Sequence, residues 1–400
     1  MAIFNPFLPS FAQNPYPAYA ALRASEPVHF SPTLQAWVLT SYAECEQVLR
    51  DQQTFSNDSM LATSQIARQF QQQRREFPLG EVPTVLNSDP PVHTRLRGIV
   101  TRAFTPRVVE RLRGRIEEIT EDLLDHAPVS ESFDLVSTLA LPLPVVVIAE
   151  LLGVPASDRD LFKRWSTAIA DTTTNLFSAP TSIESTKRAS TELIEYLTQF
   201  VEERRRDPRE DLITALVQAE DGGSQLTRDE LLAFIIVLLV AGHETTINLI
   251  GNGMLALLNE PDQGAILRDD PSTIPEAVEE FLRYDSPVQG LIRIARSDVE
   301  LGGKSIRAGD ALLVMIGAAN RDPARFPEPD RLDIQREEKR HLSFGFGIHF
   351  CLGAPLARLE AQVAFELTVR RFPSLTLAGK PERGGTFALR GLQRLPVIAG

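Results

Sequence analysis

Cysteine is nearly missing from this chain: 400 residues contain two, Cys45 and Cys351. Two cysteines build no disulfide framework, so the chain reads as the product of a reducing cytoplasm. Positive charge is also in deficit. Forty-one Lys and Arg face 53 Asp and Glu, a formal charge of −12, which argues against a general binder of nucleic acid or anionic membranes. The N-terminus, Met-Ala-Ile-Phe-Asn-Pro-Phe-Leu-Pro, carries neither a basic leader nor a long apolar stretch, so no targeting segment is expected. The longest apolar run, Leu231 to Gly242, is shorter than the roughly 20 residues a bilayer span requires. Internal repeats and Gly/Ser linkers are absent too, so one domain over residues 1–400 is expected. What the chain does have is apolar mass: 43% hydrophobic residues suffice for a large core.

The patterning predicts a mainly α protein with small β-sheets. Strand-like runs start at Val28 and Ala36, followed by a helix around 42–50. Residues 58–88 are polar and glutamine-rich and are expected to form a long, partly ordered loop. A helix-rich body spans about 89–285 and 354–371, with breaks at Pro106, Pro128, Pro155, Pro180 and Gly222-Gly223. Smaller β-rich parts occupy about 25–60, 287–320 and 374–400. One helix is distinctive. It opens at Thr227-Arg-Asp-Glu230, a capping-box sequence, and can run to Asn259, roughly 45 Å at 1.5 Å per residue. Its apolar residues cover nearly all faces, which places it in the interior.

Cys351 lies in Phe344-Gly-Phe-Gly347-Ile-His349-Phe-Cys351-Leu-Gly353-Ala-Pro355. The glycines permit tight turns on both sides of the sulfur, and Pro355 suits the first turn of a following helix that ends before Pro373. A thiol at a helix N-terminus is favoured as the thiolate, a good metal ligand. Taken alone, a buried cysteine in a glycine-rich turn fits as well. The interior helix carries a second anomaly, Ala241-Gly242-His243-Glu244-Thr245-Thr246, a polar cluster that needs partners or a task. Its bland reading is a kinked helix whose threonines bond back to the preceding turn.

Together these stretches resemble the cytochrome P450 family over nearly the whole chain. Phe344, Gly347, Cys351 and Gly353 fill the fixed positions of its haem-binding loop, Phe-x-x-Gly-x-x-x-Cys-x-Gly. The resemblance implies the cytochrome P450 fold and haem b (iron protoporphyrin IX) ligated by Cys351, held between the long helix and the cysteine helix. It implies that Ala241 and Gly242 let O2 approach, that Glu244 and Thr245 deliver protons, and that His243 turns away from the iron. His93, Arg97, Arg293 and His349 take the positions that bind the two propionates. Glu280 and Arg283, i and i+3 on one helix face, match a structural Glu-x-x-Arg pair, with Arg331 as its expected third partner.

The implied activity is a monooxygenase inserting one oxygen atom from O2 into a hydrophobic small molecule. Only 49 residues follow Cys351, so electrons are expected from a separate ferredoxin and ferredoxin reductase. The segment Arg95 to Arg115 holds seven arginines against one glutamate, an island suited to an acidic partner. Substrate contacts are expected from Val237, Ala241, Val288 and Leu291, from the 58–88 loop, from the stretch near 165–190 and from the turn near Leu392. Desaturation, coupling or peroxide-driven oxidation remain open as alternative outcomes. A non-catalytic haem sensor has no use for Glu244 and Thr245.

Overall fold

The computed structural model describes residues 4–128, 131–173, 180–219 and 223–399. Long helices form the body, and short strands gather into one five-stranded sheet and three smaller ones among the described residues. The helix Arg228–Asn259 is the axis of this body. Its capping box forms: Thr227 Oγ1 accepts from Glu230 N at 3.2 Å, and the Glu230 carboxylate accepts from Thr227 N at 2.9 Å. By length and composition this helix matches a membrane span. It is instead sheathed by protein, packing against Pro142–Leu151, Arg159–Thr173, Ile274–Tyr284 and Ala354–Arg371. Burial is near-continuous from Leu231 to Ile235 and again from Thr246 to Leu257. It is interrupted in the middle, where Val237, Gly242, Glu244 and Thr245 are half-exposed and Ala241 exposed.

The five-stranded sheet runs in the order Val28–Ser31, Ala36–Leu39, Ala311–Val314, Leu291–Ala295, Phe55–Ser56. Only the contact of Ala36–Leu39 with Ala311–Val314 is parallel. Register sets Ile292 opposite Leu313 and Arg293 opposite Leu312. Side chains alternate across a strand, so Ala36, Leu313, Ile292 and Ile294 share one face, and Leu312, Val314, Leu291 and Arg293 the other. This phase decides what reaches the cavity.

Residues 58–88 depart from the expected loop. They contain the helix Gln65–Arg75, capped by Ser64, whose hydroxyl accepts from Ala67 N at 3.2 Å. Glutamine and arginine are good helix formers; apolar residues are too few to announce the helix by periodicity. Gln71 Nε2 donates to the carbonyls of Ser59, Met60 and Ala62 and latches the helix over that turn.

Arg331 is the other correction. Its side chain is 58% exposed and pairs with Glu328 and Asp333. Arg336 takes the inward place: it is 8% exposed, and its Nε lies 3.4 Å from Glu280 Oε1. Leu332, Ile334 and Arg336 are buried in alternation while Arg331 and Gln335 are exposed, the period of extended chain. That phase turns Arg331 outward, leaving only its carbonyl to accept from Arg283 at 3.2 Å. Glu280 accepts both the Nε and Nη2 of Arg283, at 2.7 and 2.8 Å, and Asp333 N at 2.9 Å. Arg283 Nη1 donates to the carbonyls of Asn320 and Pro329. Each charge in this fully buried cluster is thus hydrogen-bonded as well as paired, the condition under which buried ions are tolerated.

Candidate active site

The chain around Cys351 is shaped by left-handed glycines. Gly345 and Gly347 have φ of +71° and +72°, a region that penalises side chains. A Cβ on Gly347 would also stand 2.9 Å from Leu49 O. Cys351 N donates to Phe344 O at 2.9 Å, closing the loop, and the helix Ala354–Arg371 begins just beyond, with Gly353 as its cap and Pro355 in its first turn. Cys351 is solvent-facing on one side and packed on the others. Desolvation raises its thiol pKa, while the amides of Gly353 and Ala354 and the charges of Arg97 and Arg358 pull it back toward the thiolate. Phe344 packs beneath the loop with the Arg358 guanidinium 4.4 Å from its ring centroid. Glu279, 2.7 and 2.8 Å from Arg358 Nε and Nη2, holds that cation in place.

A cluster of buried bases stands beside the loop. The rings of His93 and His349 lie 4.2 Å apart, centroid to centroid. His349 Nδ1 donates to Val85 O at 3.1 Å, a carbonyl being able only to accept. The Nε2 atoms of both histidines are buried without a hydrogen-bond partner. Arg293 is 5% exposed, and its guanidinium donates to the carbonyl of Ile292 at 2.8 Å. Burial lowers Arg293 to about 10, with Asp89 acting from a distance to raise it, and among the described residues no carboxylate pairs with it. His349 is lowered to about 4 by burial, His93 and Arg293, and His93 is lowered by burial and Arg97. Arg97 reaches the cysteine loop, donating to Phe350 O at 2.9 Å.

Buried polar atoms left without partners are costly, and the neutral His349 ring, its proton on Nδ1, keeps a lone pair at the orphan Nε2. A dianion, as haem with its two propionates is, fits the cluster because it would counter Arg293 and favour a proton on the ring nitrogens. Among the described residues no group of three or more His, Cys, Asp or Glu side chains gathers to hold a metal ion.

In the central helix, Thr245 Oγ1 donates to Ala241 O at 2.8 Å and Thr246 Oγ1 to Gly242 O at 2.9 Å. Both threonines therefore bond back to the preceding turn, and Thr245 lies on the side where burial is interrupted. His243 is buried, its Nδ1 donating to Leu239 O at 2.7 Å, so it faces away from that side.

A cavity of about 520 Å³ is enclosed by the 59–87 segment, the five-stranded sheet and the central helix. Val237, Ile236 and Ala233 line it from the helix, Ile169 and Ser190 from the stretch near 165–190, and Phe387 from the C-terminal turn. Residues 174–179 of that stretch lie outside the described residues. Ala241, Val288 and Leu291 are not among its lining residues; Ala241 is exposed one turn beyond Val237 on the central helix. Val288 bridges to Leu389, and Leu291 packs near Gly345 because it shares the strand face of Arg293; Ile292 and Ile294 line the cavity in its place. Leu392 is packed on Gly251 in the core. Alternation along Leu291–Ala295 was the available signal for this phase.

Comparison with known proteins identifies the assembly. The family model described as Cytochrome P450 matches residues 30–383. Cytochrome P450 107B1 of Saccharopolyspora erythraea is 45% identical, covering 98% of this chain and 96% of that one. The Vitamin D(3) 25-hydroxylase of Pseudonocardia autotrophica is 44% identical, over 98% and 96%. The solved structure of the bacillaene polyketide synthase cytochrome P450 PksS of Bacillus subtilis superposes with a TM-score of 0.90 at 40% identity, covering 99% of this chain and all of that one. The chain belongs to the cytochrome P450 family: an oxidoreductase of the monooxygenase class whose cofactor is haem b.

Proposed function

We propose that this enzyme inserts one oxygen atom from O2 into a hydrophobic small molecule, using electrons from a separate ferredoxin and its reductase. The observation that carries this reading is the pairing of the glycine-shaped loop, whose Gly353 and Ala354 amides face Cys351 Sγ, with the neighbouring cluster of His93, Arg293 and His349. Bound there, haem would supply an iron whose thiolate ligand favours heterolysis of the O–O bond.

The protein's own groups do the rest. Gly353 and Ala354 amides partly offset the rise that burial imposes on the Cys351 thiol, and such donors tune a metal ligand. His93, Arg97, Arg293 and His349 anchor the propionates. Glu244, half-exposed in the opened segment of the helix, takes protons from solvent. Thr245 Oγ1, held by Ala241 O, positions the group that receives them. The largely apolar cavity draws substrate out of water toward Val237 on the central helix. A relative named as a hydroxylase of vitamin D(3) supports a hydrophobic substrate.

Electron supply narrows within the basic island. Arg95 pairs with Glu230, Arg113 with Glu110, and Arg115 with Glu118 and Glu150. Arg107 and Arg111 are exposed and, among the described residues, have no carboxylate partner, which leaves them free to steer an acidic ferredoxin. The test supplies a ferredoxin, its reductase, NADPH and ¹⁸O2 with a panel of hydrophobic compounds. One labelled oxygen per product, lost without reductant, is expected. Unlabelled product, or equal turnover with hydrogen peroxide alone, would overturn the reading. Arg107→Glu with Arg111→Glu should slow reduction and leave substrate binding unchanged.

A further inference from the structure

Among the described residues one charged side chain lines the cavity. It is Arg74, set among Phe70, Phe77, Leu79 and Val82. Its guanidinium is built in. Nε donates to Gly80 O at 2.5 Å, and Nη1 donates to Ser59 Oγ at 3.3 Å. The helix that carries it is itself latched to the same turn through Gln71. Nη2 keeps its hydrogens for another acceptor. No carboxylate forms an ion pair with Arg74 among the described residues, since Glu81 pairs with Arg75 at 3.2 Å and Asp58 caps Met60 N. Burial lowers its pKa, with Asp58 and Glu81 acting from a distance to raise it.

A positioned, partly desolvated guanidinium at the edge of an apolar chamber recognises an oxyanion, preferably a carboxylate through two N–H groups. We propose that Arg74 binds the carboxylate of an amphiphilic substrate, an acid whose apolar body fills the cavity toward Val237. This rests on the monooxygenase reading and names the class of molecule it acts on. The apolar lining selects by size and shape, and Arg74 decides which end of the molecule stays at the far side of the cavity from the central helix.

The test measures binding alone. Straight-chain acids of increasing length and their methyl esters are compared on the haem-loaded protein by equilibrium dialysis. Acids that fill the cavity should bind about 10- to 100-fold more tightly than their esters, the worth of one charge-assisted contact. Arg74→Gln should bring the two within about twofold without weakening ester binding, and Arg74→Lys should restore part of the preference. Equal binding of acid and ester to the unaltered protein, no measurable binding of any acid, or a preference that survives Arg74→Gln would overturn the proposal. The monooxygenase reading stands or falls separately, on oxygen incorporation with neutral substrates.

Discussion

His93 and His349 face each other with ring centroids 4.2 Å apart, and each keeps a buried Nε2 without a hydrogen-bond partner. Two like bases so placed, with the buried Arg293 beside them, are a poor arrangement for the polypeptide by itself. An anion in their midst would reverse the balance, drawing a proton onto the ring nitrogens that it then accepts from, and neutralising the guanidinium.

Arg293→Leu therefore changes sign with the cofactor. Without haem the variant should unfold at the same temperature as the parent or higher, because a buried cation with no carboxylate in contact is gone. With haem it should release the cofactor about 10- to 100-fold faster, for the loss of roughly 1.5–3 kcal/mol in a hydrogen bond to a charged group. Melting of the haem-free proteins and haem transfer to an acceptor protein read the two effects.

Arg331 and Arg336 separate an exposed arginine from a buried one. Arg331→Ala should shift stability by less than about 0.5 kcal/mol, as surface changes do. Arg336→Ala removes a cation that also donates to the carbonyls of Pro327, Glu328 and Arg331 and should cost about 3 kcal/mol or more. Urea unfolding of both variants checks the order.

Asp285 ties the N-terminal helix Tyr16–Ser25 to the C-terminal strands. It accepts from Tyr16 Oη and Arg390 Nε, each at 2.7 Å, and Arg383 Nη2 lies at 3.0 Å. Burial pushes its carboxyl up, but Arg390 and Arg383 pull it further down, to about 2 against an ordinary 3.8. The unfolded chain takes up this proton first as pH falls. The pair thus contributes about 2 kcal/mol that is present above about pH 4 and lost toward pH 2. Asp285→Asn should lack that acid-limb component and be less stable at neutral pH by about 3–5 kcal/mol, since the buried Arg390 and the half-buried Arg383 lose their counter-charge. Denaturant titrations across the acid range measure both.

Thr245→Ala deletes a hydroxyl whose sole assigned bond is to Ala241 O. Substrate affinity should hold, while product formation per electron consumed falls by about 10²-fold, the lower range for a lost proton-transfer group. Thr246→Ala, which removes the neighbouring back-bond to Gly242, should leave coupling intact. Product yield against NADPH oxidation distinguishes them.

The elements with strong local signals were legible in the chain. The capping box at Thr227, the glycines and proline around Cys351, and the helix Tyr42–Arg50 are each written in short-range residue chemistry. The helix Gln65–Arg75 was not, because it rests on propensity and on a cap at Ser64 while offering little apolar periodicity. Arg336 and the strand phase of Ile292 and Ile294 depend on which way an extended chain faces. One residue of register inverts that choice, so motif spacing placed Arg331 and Leu291 where Arg336 and Ile292 belong. The cluster of His93, Arg293 and His349 needed the resemblance, since its members are far apart in sequence and each reads alone as an ordinary cation. Arg74 carried no motif at all, and only the cavity around it gives it meaning.

The most direct test of the account is the absorption spectrum of the dithionite-reduced protein under carbon monoxide, for the parent and for Cys351→His. Thiolate ligation by Cys351 predicts a strongly red-displaced Soret band in the parent that is lost in the variant even where haem remains bound. A parent band at the position given by histidine ligation, or a displaced band that survives Cys351→His, would contradict it.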